Sequence, residues 1–372
     1  MTSTPPDSCP DGRQALHLAV SVLNDPAVLL QLTPGELDLA LRVLRRLRML
    51  GSVADGIRHE ITDCLPPRAT DQLASARLLS DARARIARWE LDRIAWALDD
   101  LPASVPLIAL KGAAYLLADT PNARGRLFAD IDLMVPESHL GDVEDKLRQR
   151  GWKAKELSSY DDSYYRRWRH ELPPLTHAER GVEIDLHHNI WMRAGRLRSP
   201  ATSLIEAARP VNGTRFHVLA PVDMTLHAMV HLFSGEMGGT LRELMDIDRL
   251  LRHHAAAEPN FWEDFWARAV ALRLSRPAFY GLRYAREIFG TPIPGQFMTM
   301  PRPHAPGTAV LALMDTLVPA TLLSSTPVPQ PRSLYWARML LYVRSHWLRM
   351  PAGLLAWHSL NKLWARVARS SG

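Results

Sequence analysis

Residues 107–135 read LIALKGAAYLLADTPNARGRLFADIDLMV, and the fold turns on them. An apolar run over 107–110 stops at Lys111-Gly112. A helix-like segment over 113–118 follows, then a loop marked by Pro121, Asn122 and Gly125. A second apolar run carries Asp130 and Asp132. Residues two apart on a strand share a face. Ala129, Ile131, Leu133 and Val135 are therefore expected to face a core, and Asp130 and Asp132 to project together from the other side. Adjacent carboxylates repel unless a cation lies between them. Oxygen-only ligation suits Mg²⁺, which takes one or two carboxylates and completes its shell with water and substrate phosphates. An edge strand with two solvated aspartates is the competing reading. The Lys-Gly turn upstream, Gly125-Arg126 just before the pair, and a later strand with an acidic face favour the metal.

That later strand spans 182–187 and alternates. Val182, Ile184 and Leu186 point one way; Glu183, Asp185 and His187 point the other. His187 and His188 are adjacent, so they face opposite sides and do not readily share one metal. A polar or stacking role is expected for them rather than zinc. Further on, a helix over 223–233 places His227 and His231 four apart on one face. No carboxylate completes an HExxH arrangement, so a buried polar contact or a nucleotide contact is expected there.

The pieces LKG, GR-x-x-x-DIDL and IDLH, in that order, resemble the DNA-polymerase-β-like nucleotidyltransferase superfamily. Within it the chain looks most like the uncharacterised nucleotidyltransferase family found in bacterial genomes. The resemblance covers 107–188 well and 219–251 more loosely. Lys111-Gly112 stands where the superfamily carries Gly-Ser, a departure that fits the smaller family. The resemblance implies a metal-dependent transfer of a nucleoside monophosphate from an NTP, expected to be ATP, to an unidentified small-molecule or peptide acceptor, with release of pyrophosphate. It implies Mg²⁺ or Mn²⁺ as cofactor, with Asp130, Asp132 and Asp185 as catalytic metal ligands. Glu183, on the same face as Asp185, is the rival for the third carboxylate. Lys111 and Gly112 are expected at the phosphates, where Gly112 lets the backbone come close and the following helix offers N–H groups. Arg126 is a candidate phosphate clamp or an ion-pair partner of one of the aspartates. A non-catalytic nucleotide- or peptide-binding protein on the same fold is the alternative; the intact carboxylates argue against it.

The expected fold class is α+β. A small mixed sheet over 101–220 would form the nucleotidyltransferase core, between an N-terminal helical segment (1–100) and a C-terminal helical domain with a basic tail (221–372). With 372 residues, 47% hydrophobic and 23% charged, the chain can bury a sizeable core. Cys9 and Cys64 match no metal-ligand spacing, so a reducing cytoplasm is the simpler expectation. No signal peptide is indicated at residues 1–14, and no apolar run approaches the ~20 residues of a bilayer span. The net charge of +6 is uneven: after Asp315 there is no acid, but there are seven Lys and Arg residues. The tail is expected to pack through its Trp and Leu residues with arginines outward. Peripheral membrane contact is its alternative, and nucleic-acid binding lacks a supporting motif.

Along the chain, residues 1–12 are expected to be disordered. Thr33-Pro34-Gly35-Glu36 predicts a capped helix start, with a stop near Gly51. A long helix over 70–98 is expected to bury Leu73, Ala76, Leu79, Ala82, Ile86, Trp89, Leu91, Ile94 and Leu98. A helix over 136–150 ends at Gly151. Residues 160–169 are read as part of a strand, a substrate-facing loop or an exposed aromatic-rich hairpin. Arg242 and Asp246 are expected to form a surface pair. Two helices fall within 259–289, the proline-rich span 292–306 reads as a linker, and a second proline-rich span, 327–331, precedes the basic tail.

Overall fold

The computed structural model describes residues 12–192, 200–235, 241–298, 306–322, 332–353 and 355–357. Residues 1–11, the Gly238-Gly239 break, the proline-rich 327–331 span and most of the segment predicted after Pro351 lie outside them.

The N-terminal layer contains α1 (Gly12–Asn24), α2 (Pro34–Arg46), α3 (Leu50–Gly56), α4 (His59–Thr62) and α5 (Pro67–Ala97). The capping box forms as read. Thr33 Oγ1 accepts from the Glu36 N–H, and the Glu36 carboxylate accepts from the Thr33 N–H at 3.0 Å. Gly51 does not stop a helix; it lies inside α3, because its role is contact. A Cβ on Gly51 would stand 2.4 Å from the Gly125 carbonyl oxygen, and a Cβ on Gly125 would stand 2.2 Å from that of Gly51. Gly125 also has φ +65°, a region other L-residues avoid. Two glycines thus let α3 touch the loop that leads into the Asp-x-Asp strand. On α5, Leu73, Leu91 and Ile94 are buried as expected. Leu79, Ile86 and Trp89 are about half exposed, while Ala69, Ser80, Ala87 and Glu90 take the inner stripe. Small residues line that stripe because α3 packs closely on α5.

Seven strands form one mixed sheet: β1 (Leu107–Ala109), β2 (Asp130–Met134), β3 (Trp152–Ala154), β4 (Leu175–His177), β5 (Glu183–His187), β6 (Arg209–Pro210) and β7 (Phe216–Val218). Their order is β3-β4-β5-β2-β1-β7-β6. β2 lies antiparallel to β1 and parallel to β5. Ile131, Leu133 and Val135 are buried, whereas Ala129, just ahead of the strand, is exposed. Asp132 and Met134 are buried as well, so the far face of β2 is covered too. The helix α6 (Lys111–Leu117) packs on β1 and β2. α7 (Leu140–Gln149) ends before Gly151, with φ +99°, as its sequence predicted. Residues Ser159–Trp168 form a helix, α8, rather than a strand or loop. Tyr160 and Tyr164 are four apart and stack at 6.4 Å, a contact that helical spacing provides and strand spacing does not.

The remaining helices are α9 (Ala201–Glu206), α10 (Pro221–Ser234), α11 (Leu241–Ala257), α12 (Phe261–Ala271), α13 (Ser275–Phe289), α14 (Thr308–Thr321) and α15 (Arg332–Arg349). α10 packs against α11, α12 and α13. On α15, Leu334, Ala337, Leu341 and Ser345 are buried, while Trp336, Leu340 and Trp347 are exposed. Arg344 turns inward, donating to the Phe233 carbonyl at 2.6 Å and lying over the Tyr280 ring. The tail expectation therefore holds for Leu341 but not for Trp336, Trp347 or Arg344. Only one stripe of a helix can face the body, and these tryptophans lie off it. One apolar cluster runs from Ala15 on α1 to Leu341 on α15. Among the described residues, no helix is long and apolar enough to cross a membrane.

Candidate active site

The register between β2 and β5 builds the centre. Asp132 pairs with Asp185 and Asp130 with Glu183. Parallel partners in register present their side chains to the same face, so Asp132 and Asp185 are lateral neighbours. Asp130, at the start of β2, is exposed; Asp132 is only 3% exposed. Lys111 Nζ donates to Asp132 Oδ1 at 2.7 Å, and His187 Nε2 lies 3.1 Å from the same oxygen. Burial pushes the Asp132 carboxyl up, but the Lys111 charge and the His187 hydrogen bond outweigh it and hold the group well below the usual carboxylate range. For Lys111, burial presses the ammonium down, and the Asp132 charge reverses the direction and raises it.

Asp185 is the contrasting member. Its carboxyl is pushed up to about 7, first by burial and then by the negative charge of Asp132. Its Oδ1 is buried and has no hydrogen-bond partner. A buried acceptor without a donor costs about 1–3 kcal/mol, so the arrangement leaves room for a further positive group. Lys111 carries a second sign of tension. The chain turns from β1 into α6 at this residue with φ +45°, a left-handed backbone that costs a non-glycine residue about 1–3 kcal/mol and recurs at functional sites.

Gly112 is shaped by packing. A Cβ there would meet Phe128 Cδ1 at 3.3 Å and Arg126 Nε at 3.4 Å. Arg126 does not reach Asp130 or Asp132. Its Nη1 donates to both oxygens of Asp246 on α11, at 2.8 and 2.7 Å, and its guanidinium lies over the Tyr115 ring. Asn122 Nδ2 donates to the same carboxylate at 3.1 Å. Asp246 is thus a buried partner of Arg126, not the surface partner of Arg242 expected from their spacing.

A cavity of about 510 Å³ reaches this centre at Lys111; the three aspartates are not among its lining residues. Lys111, Tyr164, Tyr165, Arg169, Trp191 and Arg349 are among the residues lining it. The expected histidine helix, α10, contributes His231, whose Nδ1 lies 3.2 Å from Glu243 Oε1. His227 on the same helix is buried, and burial drives its imidazole well below the ordinary value.

A model of the uncharacterised nucleotidyltransferase family matches residues 33–290. The chain belongs to that family. No curated protein and no solved structure matches it. The family match spans the whole sheet and α2 to α13, so the Asp132–Asp185 pair and Lys111 lie within it.

Two residues beside this centre escaped the sequence reading. His170 and Glu171 follow α8, and Glu171 bridges to His187 in antiparallel fashion. The Leu172 N–H donates to the Leu186 carbonyl and the His188 N–H to the His170 carbonyl, so this segment runs along β5. Burial holds the His170 imidazole well below its ordinary value. His188, as its parity required, turns away from His187 and meets the Arg169 carbonyl at 3.1 Å.

Proposed function

We propose that the chain transfers a nucleoside monophosphate from an NTP, with ATP the first to test, to a hydroxyl of a small molecule or peptide, releasing pyrophosphate. The observation that carries this reading is the β2–β5 register, which makes Asp185, with its unpartnered Oδ1, the neighbour of Asp132. Two aspartates on one strand and a third on its neighbour also support membership of the DNA-polymerase-β-like superfamily.

Asp130, Asp132 and Asp185 offer the oxygen-only donors that a hard divalent cation takes, and Asp185 Oδ1 is buried with no donor of its own. Among the described residues the close-set group of three ligand atoms is His170, Glu171 and His187, so the aspartate oxygens would have to draw together around the ion. Mg²⁺ or Mn²⁺ held there would neutralise triphosphate charge and lower the pKa of the attacking hydroxyl. The chain's own residues supply the rest. Lys111, held at Asp132 and lining the cavity, presents an ammonium to phosphate oxygens. Gly112 lets Phe128 and Arg126 pack close against the turn, and Arg126, locked on Asp246, supports it from behind. The aromatic wall of Tyr164, Tyr165 and Trp191 gives a base or an acceptor a surface to stack on. The acceptor oxygen attacks the α-phosphorus as the bond to the pyrophosphate oxygen breaks. Asp185 serves the acceptor side in one of two ways: as a free carboxylate it accepts the hydroxyl proton, or as a ligand it holds the cation that would lower that hydroxyl's pKa.

The test is thermal stabilisation by each NTP with and without Mg²⁺, followed by pyrophosphate release. Expected is stabilisation that requires both components, and an Asp185→Asn variant that binds NTP with near-normal affinity but turns over about 100-fold or more slowly in a single-turnover assay. Normal turnover by Asp185→Asn alongside a dead Glu183→Gln would move the third carboxylate two residues upstream. Absence of any Mg²⁺-dependent nucleotide binding would overturn the reading.

A further inference from the structure

We propose that His170, Glu171 and His187 form a second metal site, separate from the aspartates, that takes a borderline-soft divalent transition ion such as Zn²⁺. It does not rest on the nucleotidyl-transfer reading. Among the described residues, these three form the group whose ligand atoms, one from each residue, all lie within 4.8 Å of one another. His187 Nδ1 and His170 Nε2 each stand 3.6 Å from the same oxygen, Glu171 Oε2. Ligands at about 2.0–2.2 Å from a tetrahedral zinc stand about 3.3–3.6 Å apart, so both separations match an edge of such a site.

The hydrogen bonding around the cluster points the same way. His187 is 2% exposed, and its Nδ1 is buried without a partner. Its other nitrogen, Nε2, meets the Asp132 carboxylate at 3.1 Å. With the proton on Nε2, Nδ1 carries a lone pair aimed at Glu171, an acceptor facing an acceptor. A cation between them removes that conflict. The resulting chain, carboxylate to histidine to metal, is the common way proteins fix a ligating imidazole and raise its basicity. Glu171 is oriented in turn: Arg169 Nη2 holds its Oε1 at 2.5 Å, which turns Oε2 toward both imidazoles. Two imidazoles and one carboxylate suit Zn²⁺ and its neighbours rather than Mg²⁺.

The site has an inside and an outside. His187 closes the buried side, while His170 and Glu171 line the 510 Å³ cavity. Three protein ligands with the fourth position turned to a cavity is the pattern of an open zinc site. That position takes water or an oxygen of the cavity's occupant. Because Asp132 meets the far nitrogen of His187, an ion on Nδ1 would be coupled to the aspartates through that imidazole without touching them. His187 and His188 face opposite sides and share no ion; the partners of His187 in this site come from another segment.

The test uses the full-length protein, stripped with a chelator and assayed without nucleotide in excess Mg²⁺. Co²⁺ serves as the optical probe, and Zn²⁺ is titrated against a chromophoric chelator. Expected are one equivalent of Co²⁺ with the visible bands of a four-coordinate site, and Zn²⁺ affinity that falls more than about 100-fold in both His170→Ala and Glu171→Gln. Asp132→Asn should weaken Zn²⁺ about 10- to 100-fold, since only the group orienting His187 is lost, and Asp130→Asn should leave it unchanged. If His170→Ala fails to fold, Glu171→Gln carries the comparison. No Co²⁺ absorption would overturn the proposal and leave His187 as an imidazolium shared by two carboxylates. Loss of binding in Asp130→Asn with retention in Glu171→Gln would overturn it too, by assigning the ion to the aspartates.

Discussion

Two buried ion pairs flank the turn into α6, and they differ in what surrounds them. Lys111–Asp132 and Arg126–Asp246 both close at 2.7 Å, with the acids 3% and 5% exposed. In the second pair, both oxygens of Asp246 are occupied by Arg126, Asn122 adds a donor, and the guanidinium is stacked on Tyr115. In the first, Lys111 sits on a left-handed backbone at the cavity wall, and Asp132 has an acidic neighbour with an unpartnered oxygen. Buried charge alone therefore does not mark a site. What sets the first pair apart is an orphaned carboxylate oxygen on the neighbouring Asp185 and a lysine at the cavity wall, and under the proposed transfer that pair is the one placed for chemistry.

Substitution should separate the two pairs most sharply. Asp132→Asn is expected to lower transfer on the order of 1,000-fold or more, because it removes a metal ligand and the partner of Lys111 together. A variant that keeps its rate would make this pair as structural as the other. Asp246→Ala should do the reverse. Leaving Arg126 buried without its acid costs about 3–5 kcal/mol, visible in denaturant unfolding, while turnover of the protein that remains folded stays within a few-fold. If Asp246→Ala is stable but inactive, Arg126 contacts phosphate after all.

A smaller effect tests the unfinished bonding directly. Asp185 has a folded-state carboxyl at about 7 against about 3.9 for an ordinary aspartate. Its preference for the proton stabilises the fold fully below about pH 4, and that contribution is lost as pH rises through about 7. In chelator, Asp185→Asn should melt close to the wild type at pH 4 and roughly 2–6 °C above it at pH 8. Added Mg²⁺ should close the gap by supplying the missing partner. A gap that is independent of pH would mean that Asp185 is ordinary.

Much of this centre was legible because its signals are local. Alternation over 130–135 and 182–187 set which residues face the core, and the resemblance put Asp185 at one centre with Asp130 and Asp132; the β2–β5 register makes Asp185 the neighbour of Asp132. Thr33 and Glu36 specified their own cap within four residues. What escaped depends on distance along the chain. Arg126 finds its acid 120 residues away, where no spacing rule reaches. Gly51 looked like a helix end because its partner, Gly125, lies in another segment. The aromatic-rich 160–169 stretch has neither clean period, and i,i+4 stacking of its tyrosines decided for helix. His170 and Glu171 gained meaning only when their segment lay along β5. Even the correct parity of His187 and His188 excluded only the metal partner that was near in sequence.

The cavity's wall has two owners. Lys111, Tyr164, Arg169 and Trp191 fall within the family match at 33–290, whereas His346, Arg349 and Met350, at the end of α15, lie beyond it. If this chamber holds the acceptor, exchanging α15 is the direct way to ask whether it helps to choose one. A description of the shared segment alone draws one side of the chamber and leaves out the side that α15 supplies.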